Sequence, residues 1–374
     1  MSRRSQRRAE RWFFPLAAAY GALFVPASVH ALTAGPGWFS ALASASGHAQ
    51  ELLFGYGLAV VAGFLVGRVG TGLLVGLAGL WLLARLGFWV APDTGVSGVL
   101  NAAFAAALAA TVAPKFLRGA KKLRNQAFAP LLLVLCATAV VYQIAPLLHA
   151  LPLQRLAVDG AVAGFAALML FMGGRIIAPA AAGAIQKQGG HLEARVQPTL
   201  EATLLLLLAG GLVLAWIPEP LIRQAAGLLL VLAALVAAVR LVRWRLWACT
   251  SRPDLLSLGL GYAWAVAGTG LLGLQWFTGL GGPADVLHAL TVGAMGTLSA
   301  TVMLRVASQG MTPLEPGLWS CLIIGGGMTT AGVLRLTGGA STGALLAASA
   351  LWSVVLAWVF LNLLRLAATR SSGR

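Results

Sequence analysis

Apolar runs of about twenty residues follow one another along the whole chain, separated by short segments that hold most of its basic residues. About 20 apolar residues span a bilayer core as a helix, and a spanning segment must satisfy its own backbone hydrogen bonds. Runs at 13–32, 49–67, 70–90, 97–113, 127–149, 156–180, 199–217, 221–243, 255–278, 285–307, 317–337 and 341–367 therefore predict twelve spans. Turn-forming APDTG at 91–95, WIPEP at 216–220 and GLGGPAD at 279–285 separate some of them. Charged residues make up 10% of the 374, against roughly 25% in soluble domains, so no stretch remains for a soluble catalytic domain. The expected architecture is all-α and polytopic, one integral membrane domain over 1–374. It has a basic tail at 1–12, a twelve-helix bundle at 13–367 and a central connection at 181–198.

The formal charge of +16 is distributed as membrane topology requires. With the N-terminus in the cytoplasm, 22 of the 26 basic residues fall on the cytoplasmic side, including Lys115, Arg118, Lys121, Lys122 and Arg124. The exceptions are Arg85, Arg155, Arg223 and Arg335. A missed or extra helix would scramble that asymmetry, so both termini are expected in the cytoplasm. No dense basic tract is interleaved with aromatics, which argues against nucleic acid and leaves the lipid bilayer as the expected partner. The 181–198 connection would divide the chain into two six-helix halves, as in many secondary transporters, but no sequence repeat crosses it.

Candidate chemistry rests on histidine. Four of the five histidines, His30, His48, His149 and His288, fall at the same predicted membrane face, the outer one. Imidazoles are scarce in lipid and costly unless paired or ligated, so this suggests a metal or heme site near that face. Cys136, Cys249 and Cys321 are isolated; without CxxC or CxxCH, zinc knuckles and covalent heme are disfavoured, and any heme is b-type. His48 and Glu51 share a helix face, as a ligand with its second-shell partner or as an interfacial hydrogen-bonded pair. Gly55, Ala59, Gly63 and Gly67 make a flat stripe that suits either helix packing or a porphyrin plane. His288 opens the tenth helix above a second stripe, Ala289, Gly293, Thr297 and Ala300, with Met295 read as packing. His30 and His149 fit an interfacial position and His191 a solvated loop, while Tyr262 and Trp264 fit an aromatic belt. Arg85 either snorkels to the interface or clamps a heme propionate; Arg175 reads as an anchor or interhelical hydrogen bonder. Glu51, Asp159 and Glu201 are the only candidate carboxylates for a proton relay. GxSxG, Walker and HExxH patterns are absent.

The segments FFPLAAAYGAL (13–23), HAQELLFGYGLAVVAGFLVG (48–67), RNQAF (124–128), GGRII (173–177), LGYAW (260–264) and HALTVGAMGTLSATVMLR (288–305) occur in an order that resembles the NnrS family. The resemblance implies a twelve-helix protein of the bacterial inner membrane that holds heme b and copper and serves nitric oxide tolerance or denitrification. It implies His48 and His288 as metal ligands, Glu51 matching the same motif, and nitric oxide as a ligand; Arg85 joins the candidate cofactor-binding set by its position alone. The chain departs from the family pattern: GHAQE stands for a motif close to WHAHE, so Gln50 replaces a histidine and Gly47 a tryptophan. GRVGTG replaces a Pro-Asn-Trp loop, and SQGMTPL lacks a histidine expected after the tenth helix. Glutamine is a poor copper or heme ligand. The alternatives are a twelve-helix secondary transporter and a family member that has lost its metals. A heme–copper oxidase subunit is rejected for want of an HH pair.

Overall fold

The computed structural model describes residues 6–35, 42–92, 94–119, 126–309, 316–339 and 341–372. Expectations for Arg3, Arg4, Lys121, Lys122, Arg124 and most of SQGMTPL fall outside the described residues. Among the described residues there are twelve principal helices: α1 (Glu10–Ala34), α2 (Ala45–Leu65), α3 (Thr71–Val90), α4 (Gly95–Gly119), α5 (Phe128–Ile144) and α6 (Leu151–Lys187). Then follow α7 (Pro198–Leu214), α8 (Pro220–Arg243), α9 (Pro253–Thr278), α10 (Ala284–Ser308), α11 (Leu318–Thr337) and α12 (Thr342–Ser372). Among the described residues eleven are long and apolar enough to cross a membrane. The shorter α7, with 17 residues, spans about 26 Å at 1.5 Å per residue.

Local chemistry sets several helix ends. Ser44 caps α2 by accepting from the Gly47 amide at 2.9 Å. Pro198, Pro220 and Pro253 open α7, α8 and α9, where a missing N–H costs nothing. The central connection is shorter than expected, because α6 continues through the alanine-rich 180–184 to Lys187. It stops where Gly189 turns to φ 79° and the Gly190 amide reaches the Ile185 carbonyl at 3.0 Å. The basic tail also differs from a free segment. Strand β1 (Gln6–Arg8) pairs antiparallel with β2 (Arg68–Gly70), Arg7 opposite Val69, and the Ala9 amide donates to the Gly67 carbonyl. This ribbon puts the tail and the α2–α3 turn at one end of the bundle, as alternating topology demands.

Two compact units emerge, Met1–Ala161 with Leu356–Arg374 and Val162–Val355, the division falling within α6 and α12 rather than in the 181–198 connection. In the first, α1 and α2 run antiparallel in close contact: a Cβ on Gly63 would meet Phe14 at 2.5 Å, and one on Gly21 would meet Tyr56 at 3.0 Å. In the second, α8 and α9 cross with almost no separation. A Cβ on Gly227 would lie 2.5 Å from the Gly273 carbonyl oxygen, and one on Gly273 2.6 Å from that of Gly227. Between apolar helices in lipid such close approach is a main source of association. Ion pairs and hydrogen bonds add register to the second unit. Asp254 on α9 is held by Arg252 at 3.0 Å and by Arg305 of α10, and Ser257 bonds Thr301 at 2.8 Å.

Gly227→Ala should therefore destabilise the protein by about 1–3 kcal/mol, since backbone atoms block the new methyl. Gly76→Ala, on a face of α3 with nothing within 4 Å, should be neutral or stabilise by about 0.5–1 kcal/mol. Thermal unfolding of both variants in detergent compares them; equal effects would contradict the crossing.

Candidate functional site

The polar interior of the first unit is built where α2 leaves regular α-helical geometry. After Gln50 the helix widens into a π-helical stretch, Glu51–Gly57, before returning to α over Leu58–Leu65. Such stretches are rare and recur at functional sites. Here the widening accompanies a side-chain bond to the main chain: the Trp81 indole of α3 donates to the Gly55 carbonyl at 2.9 Å.

Glu51 is fully buried and gathers partners from two other helices, α1 and α3, and from its own. Arg85 of α3, 4% exposed, places Nη1 2.5 Å from Glu51 Oε1. Tyr20 of α1 donates to Oε2 and itself accepts from the Trp89 indole at 3.1 Å. The Gln50 amide donates to Oε1 at 3.4 Å. Arg85 also donates to Asn101 of α4, whose amide donates to the Ser97 carbonyl at 2.9 Å. The guanidinium lies 5.9 Å from both the Tyr20 and Trp81 rings. The pair is neutral in sum, which makes its burial tolerable, and each charge satisfies the other only at close range. Asn101 lies in no motif, and Tyr20 falls within FFPLAAAYGAL without being singled out there. Polarity inside an apolar run is their one signal.

His48 and Glu51 do share a face, as their spacing predicts, and it is the face toward α1. His48 Nδ1 lies 2.8 Å from Ser28 Oγ, which also donates to the Leu42 carbonyl at 3.3 Å. Either atom of the Nδ1–Oγ pair can donate: Nδ1 does so when the serine proton is on the Leu42 carbonyl, and the serine does so otherwise. Phe24 lies beside the ring, centroids 6.2 Å apart. Thus Ser28, Phe24 and Tyr20, one helical turn apart on α1, meet His48 and then Glu51 in order. At the start of α2 Tyr142 ties α5 to it, donating to the Ser46 carbonyl at 2.9 Å.

His288 occupies a parallel setting in the second unit. It ends the first turn and a half of α10, and a second π-helical stretch, Ala289–Gly296, follows at once. Its Nδ1 lies 2.5 Å from the Ala284 carbonyl. A carbonyl only accepts, so Nδ1 carries the proton and Nε2 the lone pair. Asp285 and Arg335 lie within electrostatic reach of this end of the helix. His30, His149 and His191 are exposed.

Both small-residue stripes are filled by protein at Gly55, Gly63 and Gly293, while nothing lies within 4 Å of a Cβ on Gly67. A Cβ on Gly55 would lie 2.3 Å from Arg85 Nη1, and one on Gly293 2.5 Å from the Trp264 ring. At those positions the stripes are packing surfaces, not open porphyrin faces. Met295 is buried, in keeping with packing. Tyr262 and Trp264 correct the aromatic-belt expectation. Tyr262 is fully buried against Gly173 and Trp244, and Trp264 donates to Thr329 at 3.1 Å. Arg175 is an interhelical partner, 3.2 Å from Glu201 of α7. Cys249, in the α8–α9 turn, is buried, which pushes its thiol up despite nearby Arg252 and makes it a poor thiolate ligand.

Arg85→Met should cost about 3–5 kcal/mol by stranding Glu51, and Glu51→Gln should also destabilise. The double variant should lie much closer to wild type than the sum of the two. Thermal unfolding across the four proteins measures the coupling; additive effects would show that the pair is not a unit.

No curated protein matches the chain. The family model described as NnrS protein matches residues 7–370, nearly the whole length. A membrane protein by its helices, the chain belongs to the NnrS family, which is related to the nitric oxide response.

Proposed function

We propose that this protein is a b-type heme protein of the bacterial inner membrane, both termini cytoplasmic, that supports nitric oxide tolerance or denitrification. His48 and His288 are the ligand candidates. The observation that carries this reading is the anchoring of the two imidazoles through Nδ1. Each has Nδ1 held by an oxygen, Ser28 Oγ or the Ala284 carbonyl, which fixes the direction of the ring and, at His288, places the lone pair on Nε2. Metal-bound histidines are held in this manner, with the distal nitrogen hydrogen-bonded so that ring orientation and basicity are fixed. Heme iron, when bound, supplies a coordination position for nitric oxide. The chain's own part is to orient the two rings, to keep the surrounding helices in register and to balance charge.

The residues present fit that role unequally. Arg85 is neutralised by Glu51 and hydrogen-bonded to Asn101, so the pair orders the helices around His48 rather than offering a bare cation to a propionate. Copper does not fit the donor set near Gln50. That amide is directed at Glu51, and among the described residues no three His, Cys, Asp or Glu side chains group as a metal site.

A pyridine hemochrome spectrum with iron and copper analysis tests the proposal on protein expressed with heme supplied. Wild type should hold close to one b-type heme, and His48→Ala or His288→Ala should lose most of it while remaining folded by circular dichroism. Wild type free of heme would overturn the reading and favour solute transport, assayed next in proteoliposomes.

A further inference from the structure

Arg85 and Arg240 are the fully buried arginines among the described residues. Arg85 has a carboxylate; among the described residues Arg240, 3% exposed and one turn inside the end of α8, has none. Its contacts are a carbonyl, a hydroxyl and an aromatic ring. Nη1 donates to the Leu170 carbonyl at 3.4 Å, the guanidinium lies 5.5 Å from the Trp244 ring, and the Tyr262 hydroxyl is within hydrogen-bonding reach. Nη2 rests against Gly174, where a Cβ would lie 2.0 Å away, and Nε has no hydrogen-bond partner among the described residues. The GGRII and LGYAW segments thus converge here. Gly174 makes room for the guanidinium, and Gly173 for Tyr262, whose added Cβ would fall 2.3 Å from that ring.

A guanidinium stays protonated in proteins, so it cannot escape burial by losing its proton. Carbonyl and ring contacts, and the partial negative charge at the end of α8, offset part of the cost of burial, but a full counter-charge is missing. Elsewhere in this unit the arginines between helices meet carboxylates: Arg175 meets Glu201, and Arg305 and Arg252 meet Asp254. Beyond Arg240, the same end of α8 exposes Arg243, Arg245 and Trp247, the last 61% exposed. The basic-residue asymmetry assigns this end to the cytoplasmic leaflet, where Trp and Arg meet headgroups.

We propose that Arg240 is the base of a phosphate-binding site at the end of α8, its Nε donating to a phosphate oxygen and Arg243 and Arg245 forming the outer rim. A phosphate suits it better than a lone carboxylate because Arg240, Arg243 and Arg245 lie within six residues at the same end of α8, and phosphate presents oxygens to more than one cation. The phosphate is that of an anionic lipid headgroup or free inorganic phosphate. The site is independent of heme.

The test uses the full chain in nanodiscs of phosphatidylcholine, with or without phosphatidylglycerol, and in detergent with or without inorganic phosphate. Thermal unfolding and native mass spectrometry are the readouts. Wild type should gain stability from phosphatidylglycerol and retain it through purification. Arg240→Met should retain it roughly tenfold more weakly, Arg240→Lys should be intermediate, and Arg243→Gln should lose less than Arg240→Met. In pure phosphatidylcholine, Arg240→Met should be at least as stable as wild type, since it no longer buries an unpaired charge. Stabilisation by inorganic phosphate in detergent would identify free phosphate as an occupant; a response to phosphatidylglycerol alone would identify the lipid. Wild type unmoved by either addition would overturn the proposal, whatever the fate of the variants. So would an Arg240→Met protein that gains as much as wild type, or one that is less stable in every medium.

Discussion

Charge inside an apolar bundle must be compensated within the protein or by what the protein binds, and the interior of this chain is arranged around that requirement. Glu51 and Arg85 illustrate it most fully. Neither could be buried alone, and together they draw Tyr20, Gln50 and Asn101 into a single network that reaches four helices. Apolar contacts between helices in lipid have little preference for register, because the lipid is as apolar as the side chains. A buried ion pair has one geometry. It therefore contributes less to net stability than to uniqueness, fixing how α1, α2, α3 and α4 are phased. The π-helical stretch belongs to the same device, since it begins at Glu51 itself.

The spans were legible because length and hydropathy are what a bilayer selects, and each of the twelve expected helices exists. What hydropathy cannot see is hydrogen-bond geometry. The shift from α to π at Glu51 and Ala289 leaves no trace in an apolar run. The β1–β2 ribbon was equally hidden, since three-residue strands carry too little pattern. The extension of α6 to Lys187 was missed for another reason: the alanines at 180–184 favour a helix, yet they sit beyond the length a membrane requires.

The candidate site was legible in its residues and not in its partners. His48, Glu51 and Arg85 stand out as polar groups in apolar surroundings, and the shared face of His48 and Glu51 follows from their spacing. That Arg85 would neutralise Glu51 depends on α2 meeting α3, a tertiary fact. Tyr262 failed for the same reason. An aromatic near a helix end reads as an interfacial anchor until Gly173 is seen to admit it to the interior. Glycine stripes were ambiguous by nature, because a face flat enough for a macrocycle is flat enough for Arg85 or Trp264.

In the proposed heme site the two histidines carry the chemistry and the ion pairs the order. His48 and His288 stand at helix starts, His288 tied by a carbonyl four residues back in its own helix and His48 by Ser28 of α1. Each is followed by a π-helical stretch packed against a large neighbour, Arg85 at Gly55 and Trp264 at Gly293. That stretch is a poor place for slack, since a wider turn with a bulky group seated on its glycine has few other conformations. A ring attached just before it inherits that rigidity. Preorganisation matters most for a metal ligand, whose bond length and direction tolerate little error. Hence the glycines at 55 and 293, although they touch no metal, bear on the proposed ligand geometry: a side chain there would displace Arg85 or Trp264 and tilt the histidine end of its helix.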